Sequence, residues 1–160
     1  MPGPTVSPPA AADLLLLYDG ECGLCARSIQ WVLARDAAPP LSARTGAPAL
    51  RFAPLQGPTA APLLARHGIA ADPRRGFDSL VLVADPDDPR ERVLMRSDAA
   101  LAIGRYLGGR WGALARLAAL IPRPLRDLAY ALVARNRRWL SGGVDACRVP
   151  RGGERARFLP

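Results

Sequence analysis

Lysine is absent from the 160 residues, histidine occurs once and cysteine three times. Aromatic residues make up 6% of the chain, so the core must be built from Leu, Ala, Val and Ile, and few rings remain to stack on bases. With no nucleic-acid motif either, specific nucleic-acid binding is not expected. No apolar run approaches the roughly 18 residues of a membrane-spanning helix. The longest runs, such as Leu14 to Tyr18 and Leu117 to Ile121, fall far short, which excludes a transmembrane segment. Residues 1–13 lack the positive n-region and apolar h-region of a secretory signal. They are rich in Pro and Ala and read as a flexible tail, and the cytoplasm is the expected location.

What is present fits a soluble globular protein. Hydrophobic residues make up 49% and charged residues 22%, with a mean hydropathy of +0.04, a balance that argues against disorder. The length suits one domain rather than two. All 22 basic residues are Arg, a bias closer to genomic base composition than to selection for guanidinium chemistry, so individual arginines are discounted. Their distribution says more: residues 1–100 hold 10 Arg against 11 acids, and residues 101–160 hold 12 Arg against 3. The basic C-terminal third could attract an anionic membrane surface or an acidic protein, or form a solvated face without a partner.

Periodicity gives an order of elements. Leu14 to Tyr18 is a short continuous apolar run, as in a strand buried on both faces. Cys25, Ile29, Val32 and Leu33 then recur at helical spacing in a helix ending near Asp36. Leu50 to Ala53 reads as a strand stopped by Pro54, and Pro62 to His67 as a helix closed by Gly68. Ser79 to Ala84 is the strongest strand signal, and a turn of Asp and Pro leads to a return strand over Arg92 to Arg96. Ser97 is the expected cap of a helix through Leu107, with Asp98 in its first turn. Two further helices are predicted over Trp111 to Ile121 and Pro124 to Leu140. Their apolar stripes, Trp111, Leu114, Leu117 and Ile121, then Leu125, Leu128, Leu132 and Trp139, are expected to pack on the core with arginines facing water. The division that follows is a tail over 1–13, a β-α-β-α-β-β-α core over 14–109, and a basic helical extension over 110–160 in the same domain.

Chemistry concentrates at Cys22-Gly23-Leu24-Cys25, between the first strand and the first helix. Residues three apart on a helix lie about 5–6 Å apart on one side, close enough to cycle between dithiol and disulfide. Cys22 falls at the helix N-terminus, where free amides and the dipole favour a thiolate; Cys25 belongs to the buried stripe. This assigns attack to Cys22 and resolution to Cys25. Glu21 opposes thiolate formation. Asp19, at the strand end, is either the acceptor of the Cys25 proton or a turn former. The competing readings of the pair are inert thiols and a zinc site drawn from Cys22, Cys25, His67 and Cys147, whose spacing is poor. Ala26 excludes the CxxCH haem attachment. His67 reads as a surface or capping residue, and Cys147 as a buried small hydrophobe.

The segment Tyr18-Asp19-Gly20-Glu21-Cys22-Gly23-Leu24-Cys25 resembles the signature of the DCC family of thiol-disulfide oxidoreductases. Arg51 to Gln56, Asp78 to Val83, Ser97 to Ala100, Ile121 to Arg123, Ala134 to Arg137 and the tail around Cys147 are similar to further family blocks, in family order. The resemblance implies a thioredoxin-like α/β fold and Asp19, Cys22 and Cys25 as active-site positions. It supports a reaction class and little beyond it. From the cysteine pair and its context, the expected activity is exchange with disulfides of protein or small-molecule substrates, with a thiol reductant of unknown identity and no cofactor or metal. Gly76 to Ser79, ahead of the third strand, lacks the proline that thioredoxins place there. The alternative function is a non-catalytic thioredoxin-like scaffold with structural or zinc-bound cysteines.

Overall fold

A computed structural model describes residues 13–20, 23–36, 39–42, 46–70, 80–136 and 154–160. Four strands and five helices follow in the order β1 (Leu14–Tyr18), α1 (Gly23–Arg35), β2 (Leu50–Pro54), α2 (Ala60–Arg66), β3 (Val81–Ala84), β4 (Arg92–Met95), α3 (Arg96–Leu107), α4 (Gly109–Ala118) and α5 (Arg123–Arg135). The sheet order is β2-β1-β3-β4, with β1 parallel to β2 and antiparallel to β3, and β3 antiparallel to β4. The parallel pair needs a crossover, which α1 supplies; the antiparallel pair needs only the tight turn at Asp85–Glu91. This is a thioredoxin-like fold.

The period of two in each strand sorts the core into layers. Leu14 and Leu16 of β1, Leu50 and Phe52 of β2 and Leu82 and Ala84 of β3 face one side, where Ile29 and Val32 of α1 and Ala99 and Ile103 of α3 cover them. Leu15, Leu17, Val81 and Val83 face the other side, under Ala60, Leu63 and Leu64 of α2. The all-apolar β1 is thus one of the two interior strands, buried on both faces as its unbroken run predicts.

The C-terminus closes the far edge. Leu159 N donates to Phe52 O at 2.8 Å, and the Phe158 ring stacks on Phe52 with centroids 5.2 Å apart. Arg157 lies buried beneath it, with Nη2 2.6 Å from Asp36 Oδ2, Nη1 on Asp36 O and Nε on Leu50 O. Tyr106 Oη donates to the same Asp36 carboxylate at 2.9 Å. Burial first, and then this bond to Asp36, push the Tyr106 phenol above its ordinary pKa. Discounting every arginine therefore fails at Arg157, whose charge ties the end of α1, β2 and the C-terminus together.

Two more expectations are corrected around α3. Ser97 does not cap it: the helix begins at Arg96 after Met95, and buried Ser97 instead donates its hydroxyl to Asp127 of α5. That bond, foremost, holds the Asp127 carboxyl below its usual range. Asp98 does occupy the first turn, where Arg123 and Arg126 each approach it to 3.1 Å. The second correction concerns the apolar stripes. Leu114, Leu117, Ile121, Leu125, Leu128 and Leu132 are all exposed rather than packed on the core. Helix α4 is fixed mainly through small residues: a Cβ on Gly104 would lie 3.0 Å from the Ala115 Cβ, so glycine lets α3 and α4 approach closely. In α5, Tyr130 Oη accepts from Leu80 N at 2.8 Å. Among the described residues, no helix is long and apolar enough to cross a membrane.

Candidate active site

Parallel pairing of β1 with β2 in the register Tyr18↔Pro54 brings the residues following both strands to one end of the sheet. There Leu55 N donates to Tyr18 O at 2.8 Å. The Gln56 amide then spans the gap: its Nε2 donates to Asp19 Oδ1 at 2.9 Å and its Oε1 accepts from Gly20 N at 3.3 Å. The loop carrying Gln56 is itself propped. A Cβ on Gly57 would come within 2.9 Å of the Pro160 carbonyl carbon and of Pro54 Cγ, so only glycine fits against the C-terminus there. Thr59 N donates to Pro160 O at 3.2 Å.

Helix α1 starts at Gly23, and its first turn contains no acidic residue. Cys25 sits in that turn and is half-buried, whereas Ile29 and Val32 farther along the same stripe are fully buried. The stripe thus tilts out of the core at its N-terminal end, which leaves the Cys25 thiol at the edge of a cavity. Asp19 and Cys25 line the same cavity, of about 700 Å³. Its opposite walls come from α3, α4 and α5. Trp31 of α1 meets Trp111 of α4 edge to face at 4.6 Å, and the Arg35 guanidinium lies 3.9 Å over the Trp31 ring.

Of the residues singled out by sequence, Asp19 and Cys25 line one cavity. Cys22, Glu21 and Cys147 lie outside the described residues, as do residues 1–12, Gly76 to Ser79, Arg137, Arg138, Trp139 and Leu140. His67 stands apart from the cavity as the residue closing α2, with Nε2 2.6 Å from Glu91 Oε1. Among the described residues, no cluster of three or more His, Cys, Asp and Glu side chains could hold a metal ion. Gln56 was missed as a site residue, although it closes the block Arg51 to Gln56. The signal lay in the parallel register, because the residue two past Pro54 must pass beside the one that follows Tyr18.

The profile of the DCC1-like thiol-disulfide oxidoreductases matches residues 16–143. The chain belongs to this family. Two relatives extend the match. A Bacillus subtilis protein named YuxK, described as uncharacterized, is 33% identical over 146 residues, covering 91% of this chain and 93% of the relative. A DCC family protein of Arabidopsis thaliana described as chloroplastic is 31% identical over 135 residues, covering 84% of this chain and 69% of the relative. No solved structure matches. Family membership supports a general redox role for this DCC1-like chain.

Proposed function

We propose that this DCC1-like protein is a thiol-disulfide oxidoreductase working through Cys22 and Cys25, with Asp19 as the proton acceptor. The observation that carries the reading is the shared wall: Cys25, in the first turn of α1, and Asp19, held by Gln56, border one cavity. Cys22 immediately precedes the first helical residue in sequence, where unpaired amides and the helix dipole favour a thiolate.

The Cys22 thiolate attacks one sulfur of a substrate disulfide; that S–S bond breaks and the departing thiolate takes a proton from solvent. Asp19 removes the proton from the Cys25 thiol, and the resulting thiolate attacks the Cys22 sulfur of the mixed disulfide. The second substrate thiolate leaves and is protonated. The substrate gains two electrons and the enzyme holds a Cys22–Cys25 disulfide, which a thiol reductant returns to the dithiol. The substrates are disulfides of proteins or small molecules, in a cytoplasmic setting.

The test is a titration in thiol/disulfide buffers, with free thiols trapped by alkylation and mapped by mass spectrometry. A reversible two-electron Cys22–Cys25 couple is expected. In stopped-flow measurements Asp19→Asn should slow resolution about 100-fold and alter its pH dependence. A pair that stays reduced or zinc-bound throughout would return the chain to the scaffold reading, and an unaltered resolution rate would remove Asp19 from the mechanism.

A further inference from the structure

The cavity beside Cys25 has a composition and a mouth that say what enters it. Its volume, about 700 Å³, lies within the range of ligand sites, yet most of its lining is apolar. Leu24, Val32, Leu80, Ile103, Trp111 and Ala118 supply much of the wall. Two of its hydroxyls are engaged with backbone: Ser28 donates to Leu24 O, and Tyr130 accepts from Leu80 N. The charged lining residues are Asp19, just past β1, and Arg27 of α1. A guest therefore meets polar and sulfur chemistry at one end and hydrocarbon elsewhere.

The mouth decides between a compact guest and a chain. Leu114 and Val133 line the cavity and yet are 52% and 51% exposed. From them apolar exposure runs on along α4 and its end through Leu117, Leu120 and Ile121, and along α5 through Leu132, Leu128 and Leu125. A ligand contained within the cavity would leave this surface in water, whereas a polypeptide crossing the mouth covers it. Charge selects further. Arg110 and Arg116 are exposed on α4, whereas Arg123 and Arg126 of α5 pair with Asp98, so acidic residues on the guest are favoured beside α4.

We propose that this cavity is a substrate pocket for the apolar residues flanking a disulfide in a polypeptide, with acidic residues farther out resting near the arginines of α4. The proposal rests on the redox reading above and specifies its substrate class. The apolar flank, seated between α1 and α4, holds the substrate disulfide at the Cys25 end of the cavity.

Exchange and binding are measured separately. The exchange substrates are oxidised glutathione and two disulfide-linked peptide dimers, Glu-Phe-Leu-Cys-Leu-Phe-Glu and Glu-Ser-Ser-Cys-Ser-Ser-Glu. Binding uses the first peptide with Ser in place of Cys, followed through the fluorescence of Trp31 and Trp111 in the cavity wall. The Phe/Leu peptide should exchange at least about tenfold faster than the Ser peptide or glutathione, and its Ser analogue should change the fluorescence saturably. Leu114→Glu and, separately, Val133→Glu should abolish the fluorescence change and the preference; circular dichroism checks that each variant folds.

Equal rates on all three disulfides with no fluorescence change overturn the pocket while leaving the redox reading intact. Binding without exchange on any substrate removes the redox reading, and the substrate role falls with it. Equally fast exchange of a small apolar dialkyl disulfide, dibenzyl disulfide, whose leaving thiolate is of alkyl type like that of cysteine, overturns the commitment to a polypeptide. Salt-sensitive binding to phosphatidylglycerol vesicles that is lost in Leu114→Glu, without peptide binding, reassigns the face to a membrane.

Discussion

The central sheet and the α4–α5 pair are both rich in Leu and Ala, yet they meet water in opposite ways. In β1 and β3 every core leucine and valine is buried, with Leu17 and Leu82 at 0% exposure, while in α5 no residue is buried and Leu128 is 58% exposed. Sequence period says which residues share a face; what that face touches depends on partners elsewhere in the chain. The sheet's faces are covered by α1 and α3 on one side and α2 on the other. Helix α5 is held by polar ties instead: Ser97 to Asp127, Arg123 and Arg126 to Asp98, and Tyr130 to Leu80.

The comparison is broken most severely at the C-terminal clasp. Arg157→Ala removes a buried cation and leaves the Asp36 carboxylate enclosed without it; the expected loss is about 3–5 kcal/mol. Chemical denaturation measures it, and a loss under about 1 kcal/mol would mean that the clasp is not part of the core. Within the sheet, Leu82→Ala should cost about 2–5 kcal/mol through the cavity it leaves. Leu128→Ala, the same chemical change on α5, should stay within about 0.5 kcal/mol. Equal losses at the two positions would show that the α5 stripe is covered in solution.

The same contrast explains what was legible in the sequence. Strand and helix order followed from local period and punctuation, because a run such as Leu14 to Tyr18 has few alternatives to a central strand. That Asp19 and Cys25 border one cavity follows equally locally, since both flank one strand-to-helix junction. Arg157 and Gln56 were not legible. Asp36 and Arg157 are 121 positions apart, and a composition in which every basic residue is Arg hides the one that is buried among the described residues. Gln56 acquires its role only once β2 lies beside β1. The outward direction of the α5 leucines was equally hidden, because amphipathic period is identical whether the apolar side faces protein or water.

A smaller effect sharpens the site half of the comparison. In the proposed mechanism Gln56 is a positioning residue that acts through Asp19, to which its Nε2 donates. Gln56→Ala should slow resolution by about threefold to tenfold, the worth of one ordinary exposed hydrogen bond. In the Asp19→Asn background the same change should have no further effect, because the two residues act as one unit. Additive losses in that cycle would give Gln56 an independent role.

The smallest expected effect lies on the opposite face of the sheet from the cavity, at the turn between β3 and β4. Burial alone would raise the Glu91 carboxyl, but the Asp87 N–H, His67 and Arg66 together outweigh it and hold the group below its ordinary value of 4.5. Asp87 N donates to Glu91 Oε2 at 2.7 Å, His67 Nε2 lies 2.6 Å from Oε1, and Arg66 Nη2 lies 3.1 Å from Oε2. A carboxyl whose folded pKa is depressed stabilises the protein above its unfolded pKa, and that contribution is lost as pH falls through the folded pKa. Glu91→Gln cannot titrate, so the melting temperatures of wild type and variant should differ at neutral pH and converge as the pH falls below about 4.5. The turn lies away from the exposed leucines of α4 and α5, so exchange rates at neutral pH should not change. A melting-temperature difference independent of pH would mean that Glu91 acts through shape rather than charge, and that even this polar turn is held by packing as the sheet is.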